Sequence, residues 1–179
     1  MKPVSICLLF VMLVMQVAVA RAGVQLGATR VIFKEGQRED SLMVRDRSSD
    51  SSSHLIQSWV TDAAGGETAH MIVVPPLFRL EPGGGRALRI IRTEGELPSQ
   101  QESLFWLNVK IIPSSEKKLK NVLQAVVIFQ LKAIYRPSGL KGNANEAYKS
   151  LKFTRDGTGR LQVSNPTPYY VSFASLKVD

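Results

Sequence analysis

The sequence predicts an all-β fold, and three observations carry that prediction. From Thr29 to Pro137 the apolar residues recur at every second position in short runs, the period of strands with one buried face. Turn residues interrupt these runs about every ten residues. Between them no stretch repeats its apolar residues at helical spacing. About seven strands spaced in this way fit an immunoglobulin-like antiparallel β-sandwich.

The first residues read as an export signal. Lys2 gives a basic start, Ile6 to Val19 is almost unbroken apolar, and Ala20-Arg21-Ala22 has the form that signal peptidase cleaves. Residues 1–22 are therefore expected to be removed, leaving Gly23 first. The apolar run is short for a membrane span and no second one follows, so a soluble exported protein is expected. The single cysteine, Cys7, lies in this leader, which excludes disulfides and thiolate metal sites from the mature chain. The formal charge is +8, with Lys2 and Arg21 both in the leader. Export and the scatter of the basic residues argue against a nucleic-acid partner.

In chain order, Thr29 to Lys34 (TRVIFK) reads as a first strand, and Ser41 to Arg45 as a second with Leu42 and Val44 inward. Arg47 to Ser53 is a polar loop. Leu55 to Thr61 is a third strand, closed by the turn pair Gly65-Gly66. His70 to Val74 runs into Pro75-Pro76, which cannot donate to a ladder and so ends the strand or places it at an edge. Arg86 to Arg92 and Leu104 to Ile112 follow, with Trp59 and the Trp106 region expected to feed the core.

The most informative stretch is Asn121 to Pro137, NVLQAVVIFQLKAIYRP. Its odd positions, Leu123, Ala125, Val127, Phe129, Leu131, Ala133 and Tyr135, make one wholly apolar or aromatic face. As a single strand it would be about 45 Å long, more than twice the usual length, so part of it must project beyond its own sheet. A long apolar edge of this kind is an aggregation hazard unless a partner pairs with it. After Arg136-Pro137-Ser138-Gly139 the composition turns polar, and a domain boundary is expected there, dividing residues 23–138 from 139–179. The β-like runs Leu151 to Thr154, Leu161 to Ser164 and Tyr170 to Val178 are too few for a second sandwich. The expectation is a partial second domain, the product of a truncated chain or incomplete gene model.

Several segments together resemble the PapD-like periplasmic chaperones of the chaperone–usher pathway, which assemble pili. They are TRVIF (Thr29 to Phe33), PPLFRLEPG (Pro75 to Gly83), LPSQQESLFWLNVKIIP (Leu97 to Pro113), NVLQ through YRP (Asn121 to Pro137), and NPTPYYV (Asn165 to Val171). The resemblance implies two immunoglobulin-like domains that capture a pilus subunit lacking its last strand and deliver it to an outer-membrane usher. It further implies that Leu123, Ala125, Val127 and Phe129 lie on the strand lent to the subunit. Arg30 and Lys132 would anchor the subunit's terminal carboxylate, and Glu102 and Arg136 would belong to an interdomain salt-bridge network. The short connection from Pro113 to Asn121 favours the branch of the family that builds rod-like pili.

Chemistry of other kinds finds no foothold. Gly83-Gly84-Gly85 leads into a strand and offers no helix N-terminus to a phosphate. Lys117, Lys118 and Lys120 read as a solvated charge run. His54 and His70 have no ligand at metal-binding spacing, and no nucleophile, base and orienting group occur together. No enzyme activity, metal or cofactor is expected. The competing reading is a secreted structural or adhesive sandwich that self-associates through the same edge strand.

Overall fold

The computed structural model describes residues 23–48, 52–93, 95–114 and 125–177. The leader and Leu123 therefore lie outside the described residues. The strands are β1 (Val24–Leu26), β2 (Arg30–Lys34), β3 (Glu39–Asp46), β4 (His54–Asp62), β5 (Met71–Val74), β6 (Leu77–Leu80), β7 (Gly85–Arg92), β8 (Ser103–Pro113) and β9 (Val127–Arg136). A single 3₁₀ turn at Ala147–Ser150 and the hairpin β10 (Lys152–Arg155) and β11 (Leu161–Ser164) follow.

The first nine strands form two facing sheets, ordered β1-β3-β7-β5 and β2-β9-β8-β4-β6. This is an immunoglobulin-like sandwich. The alternation seen in the sequence decides what each strand buries: Leu42 and Val44 on β3, Leu88 and Ile90 on β7, Ile56 on β4, and Leu107 and Val109 on β8 all face inward and are buried. Each such side chain contributes roughly 1.5–3 kcal/mol relative to exposure. The second unit is smaller, the two-stranded β10-β11 sheet, with Phe153 paired to Val163 and packed edge-on to Phe173.

The structure departs from the sequence expectations in four places. Two short strands were not foreseen: β1 pairs with β3, and β6 pairs with β4 after the chain crosses from one sheet to the other through a cis Val74-Pro75 bond and Pro76. The pairing is not wholly antiparallel, because β2 runs parallel to β9. Trp59 does not enter the core, whereas the region of Trp106 feeds it through the flanking Phe105 and Leu107. Ile56 and Ser58 are the inward residues of β4, so Trp59 sits at the alternate, outward position, while the Trp106 indole N–H donates to Ala63 O at 3.3 Å. Finally, among the described residues the long strand begins at Val127, leaving Ala125 and Val126 outside it, and Asn121 to Gln124 lie outside the described residues. Its pairing with β8 stops at Ile111↔Val127, and Ala125 and Val126 have no ladder partner to hold them in a strand.

The turn between β6 and β7 explains the glycine run. Gly83 has φ 67°, in the left-handed region, and a Cβ on Gly84 would lie 2.9 Å from Glu81 O. These glycines are used for a tight turn whose closing bond is Gly84 N–H to Glu81 O, 2.9 Å.

Candidate functional site

Strand β9 is covered unequally along its two edges. On one side it pairs with β8 from Val127 to Tyr135. On the other it pairs with β2 only from Lys132 to Arg136, because β2 begins at Arg30, the register partner of Lys132. From Val127 to Leu131 that second edge has no strand partner among the described residues. Its backbone N–H and C=O groups are therefore a template for another strand.

The side chains along the open stretch match its backbone. Val127 and Phe129 lie on the same face as buried Leu131, yet they are 46 % and 38 % exposed where Leu131 is 6 %. Ala125, just before the strand, is also exposed. The core-facing stripe thus runs past the end of its own core and into solvent. Val126 and Ile128, on the opposite face, are equally bare at 50 % and 53 %.

Two cations mark the point where the open edge ends. Arg30, the first residue of β2, is exposed, and no ion-pair partner is found for it among the described residues. Half-buried Lys132 donates from Nζ to Ser172 Oγ at 2.6 Å. Ser172 belongs to the segment after β11, so the cleft holding these cations has one wall from each part of the chain.

That second wall is fixed by one buried carboxylate. The β8–β9 register pairs Ser103 with Tyr135, and one residue further along brings Glu102 opposite Arg136. Glu102 has no exposed side-chain surface; its Oε1 accepts from Arg136 Nε at 2.5 Å and its Oε2 accepts from the Tyr170 backbone N–H at 2.6 Å. Its own backbone N–H donates to Pro168 O at 2.9 Å. Charge-assisted bonds of this kind are about twice as strong as neutral ones, which is how a buried carboxylate is tolerated. The Arg136 guanidinium also lies over the Tyr169 ring, 5.4 Å from its centroid.

The segment that meets Glu102 is shaped locally. Asn165 accepts at Oδ1 from the Thr167 backbone N–H and hydroxyl, and donates from Nδ2 to Tyr169 O at 2.7 Å. Pro166 and Pro168 fix φ on either side of Thr167, so the turn presents Pro168 O and Tyr170 N–H together. Buried Tyr169 ties the turn back to the connection through hydrogen bonds of its hydroxyl to Leu140 O and Gly142 O.

Comparison with known proteins settles the family. Residues 23–141 match the pili and flagellar-assembly chaperone PapD N-terminal domain, and residues 146–179 match the PapD C-terminal domain. The chain belongs to the PapD family of pilus assembly chaperones. Chaperone protein LpfB of Salmonella typhimurium is 43 % identical over 153 residues, covering 84 % of this chain and 66 % of that protein. Chaperone protein FocC of Escherichia coli is 45 % identical over 159 residues, covering 87 % and 69 %. Among solved structures, the SafB chaperone of Salmonella enterica, in complex with the SafA pilin, is similar with TM-score 0.77 and 36 % identity over 90 % of this chain and 76 % of that one. This PapD-family chain thus spans 66 % of the length of LpfB.

Within this chaperone-family chain, the structure brings Arg30 beside Lys132 and Glu102 beside Arg136, and it puts Val127 and Phe129 on the open edge. Leu123 lies outside the described residues. Three participants escaped the sequence reading: Tyr170 as a backbone donor, Ser172 as the neighbour of Lys132, and Glu35, which accepts from the Ser138 backbone N–H at 2.8 Å and from its hydroxyl. The NPTPYYV motif, singled out without a role, contains Tyr170 and ends one residue before Ser172. Among the described residues no cluster of three or more His, Cys, Asp or Glu could hold a metal ion.

Proposed function

We propose that the protein is a periplasmic chaperone that captures a pilus subunit lacking one strand, pairs β9 with it, and hands it to an outer-membrane usher. The observation that carries this reading is the coincidence of the open β9 edge, Val127 to Leu131, with Arg30 and Lys132 at its inner end. A subunit strand running parallel to β9 would continue the line of β2 and end with its carboxylate between the two cations. Backbone pairing would supply affinity for any extended strand, and Val127 and Phe129 would each add roughly 1.5–3 kcal/mol on full burial in the subunit's gap. The carboxylate would fix the register, since a slip of one residue turns the apolar face outward. Glu102 and Arg136 would keep the two parts of the chain in the relation that forms the cleft. The SafB relative is in complex with a pilin in its solved structure, which supports a pilin as the partner here.

The test is co-expression with a pilus subunit in the bacterial periplasm, followed by co-purification and mass measurement. A one-to-one complex is expected. Homopolymers of the protein alone, with no subunit bound, would overturn the proposal in favour of a self-associating structural or adhesive sandwich.

A further inference from the structure

Lys132 is held at the cleft by Ser172, and the geometry of that bond leaves the serine available for more. Nζ donates to Ser172 Oγ at 2.6 Å, so the hydroxyl uses a lone pair there and retains its own proton to donate. The exposed Ser172 side chain is open to an incoming group. Its position is set from the first domain: two residues earlier, the Tyr170 N–H is bonded to buried Glu102, and Pro168 O accepts from the Glu102 backbone. That backbone latch lies two residues before Ser172 and fixes the stretch of chain that carries it beside Lys132.

We infer that Ser172 is a third member of the carboxylate-binding site, orienting the Lys132 ammonium and donating its own O–H to the terminal carboxylate of the bound strand. This rests on the anchor reading given under the proposed function. It makes the site a joint one, with Arg30 and Lys132 from the first domain and a neutral donor from the second. A carboxylate offers about four acceptor positions, more than one ammonium bond and one guanidinium pair fill when Lys132 has turned a proton to Ser172. The hydroxyl also keeps the ammonium from swinging into solvent on its flexible stem before a strand arrives.

The experiment uses the full chain and a C-terminal pilus-subunit peptide made in two forms, with a free carboxylate and as its amide. Affinity is measured for the unsubstituted protein, Ser172→Ala, Ser172→Thr and Arg30→Ala. Ser172→Ala is expected to weaken the acid peptide by roughly ten- to a hundredfold, the range for a hydrogen bond to a charged group, and to leave the amide peptide unchanged. Ser172→Thr should restore the acid preference, since it keeps the hydroxyl. Equal weakening of both peptides would show that Ser172 only shapes the segment, and an unchanged acid preference would show that it does not touch the carboxylate; either overturns the inference. The anchor reading fails separately, if the unsubstituted protein and Arg30→Ala both bind acid and amide alike.

Discussion

Arg30 and Lys132 are register partners across the parallel β2–β9 pair, and they stand where β2 stops covering β9. Neither residue packs in the core, so their removal should not disturb the sandwich. Arg30→Ala and Lys132→Ala are expected to retain the native circular dichroism spectrum and lose stable subunit capture. Truncating one partner of a hydrogen-bonded charge pair that is buried on binding costs about 2–5 kcal/mol. Protection of a co-expressed subunit from periplasmic proteolysis is the readout, and undiminished protection in both variants would remove the anchor assignment.

Val127 and Ile128 are adjacent and about equally exposed, but they lie on opposite faces of β9. Only Val127 shares the face of Phe129 and Leu131. A charge there would be driven into the subunit's apolar groove, at about 2–7 kcal/mol for an uncompensated polar group and more for an ion. Val127→Glu should therefore abolish capture, whereas Ile128→Glu should weaken it little. Co-purification yields of the two variants decide the matter, and equal losses would contradict a one-faced insertion.

The face of β9 was legible because a period of two survives in any strand with one buried side. Where the strand becomes free was not, because that depends on where β2 starts, a property of the parallel register and not of local pattern. β1 and β6 were missed for a related reason: strands of three and four residues bounded by glycine or proline are too short to display a period. Trp59 faces outward because the alternation through Ile56 and Ser58 gives the inward positions of β4 to those two residues. The Lys132–Ser172 bond spans 40 residues between two parts of the chain, and no spacing rule reaches that far.

Glu102 and Arg136 should be unequal in their consequences for stability. Arg136→Ala leaves a fully buried carboxylate with only the Tyr170 N–H, and breaking a buried pair from one side typically costs about 3–5 kcal/mol. Glu102→Gln removes the charge but retains a carbonyl that can accept from Tyr170, so its cost should be nearer that of one hydrogen bond to a charged group, about 1.5–3 kcal/mol. Urea unfolding followed by tryptophan fluorescence measures both. The order Arg136→Ala worse than Glu102→Gln is the prediction, and the reverse order would mean that the Tyr170 contact carries no weight.

Two exposed acids give the molecule separable responses to acid. Asp156 sits in the β10–β11 turn, where the Thr158 hydroxyl first, then the Arg160 backbone N–H, hold its carboxyl down at about 2 from an ordinary 3.8. Glu35 is lowered from its ordinary 4.5 chiefly by the Ser138 hydroxyl and then by the Ser138 backbone N–H, with Arg92 adding a little. Both groups are depressed in the folded chain, so each contributes stability that is fully present above its ordinary value and is lost as pH falls through its folded value. For Asp156 that window runs from 3.8 down through about 2. For Glu35 it begins at 4.5 and extends downward. The consequences differ in place, because Asp156 closes only its own hairpin, while Glu35 joins the end of β2 to the connection that follows β9. In an amide-resolved NMR titration, the Thr158 and Arg160 amides should move together, and the Ser138 amide should follow Glu35 instead, at a pH below the ordinary 4.5. Glu35→Gln should abolish the Ser138 transition and leave the hairpin transition where it was. A Ser138 amide that titrates at the ordinary glutamate value would show that the Glu35 contact is not held in solution.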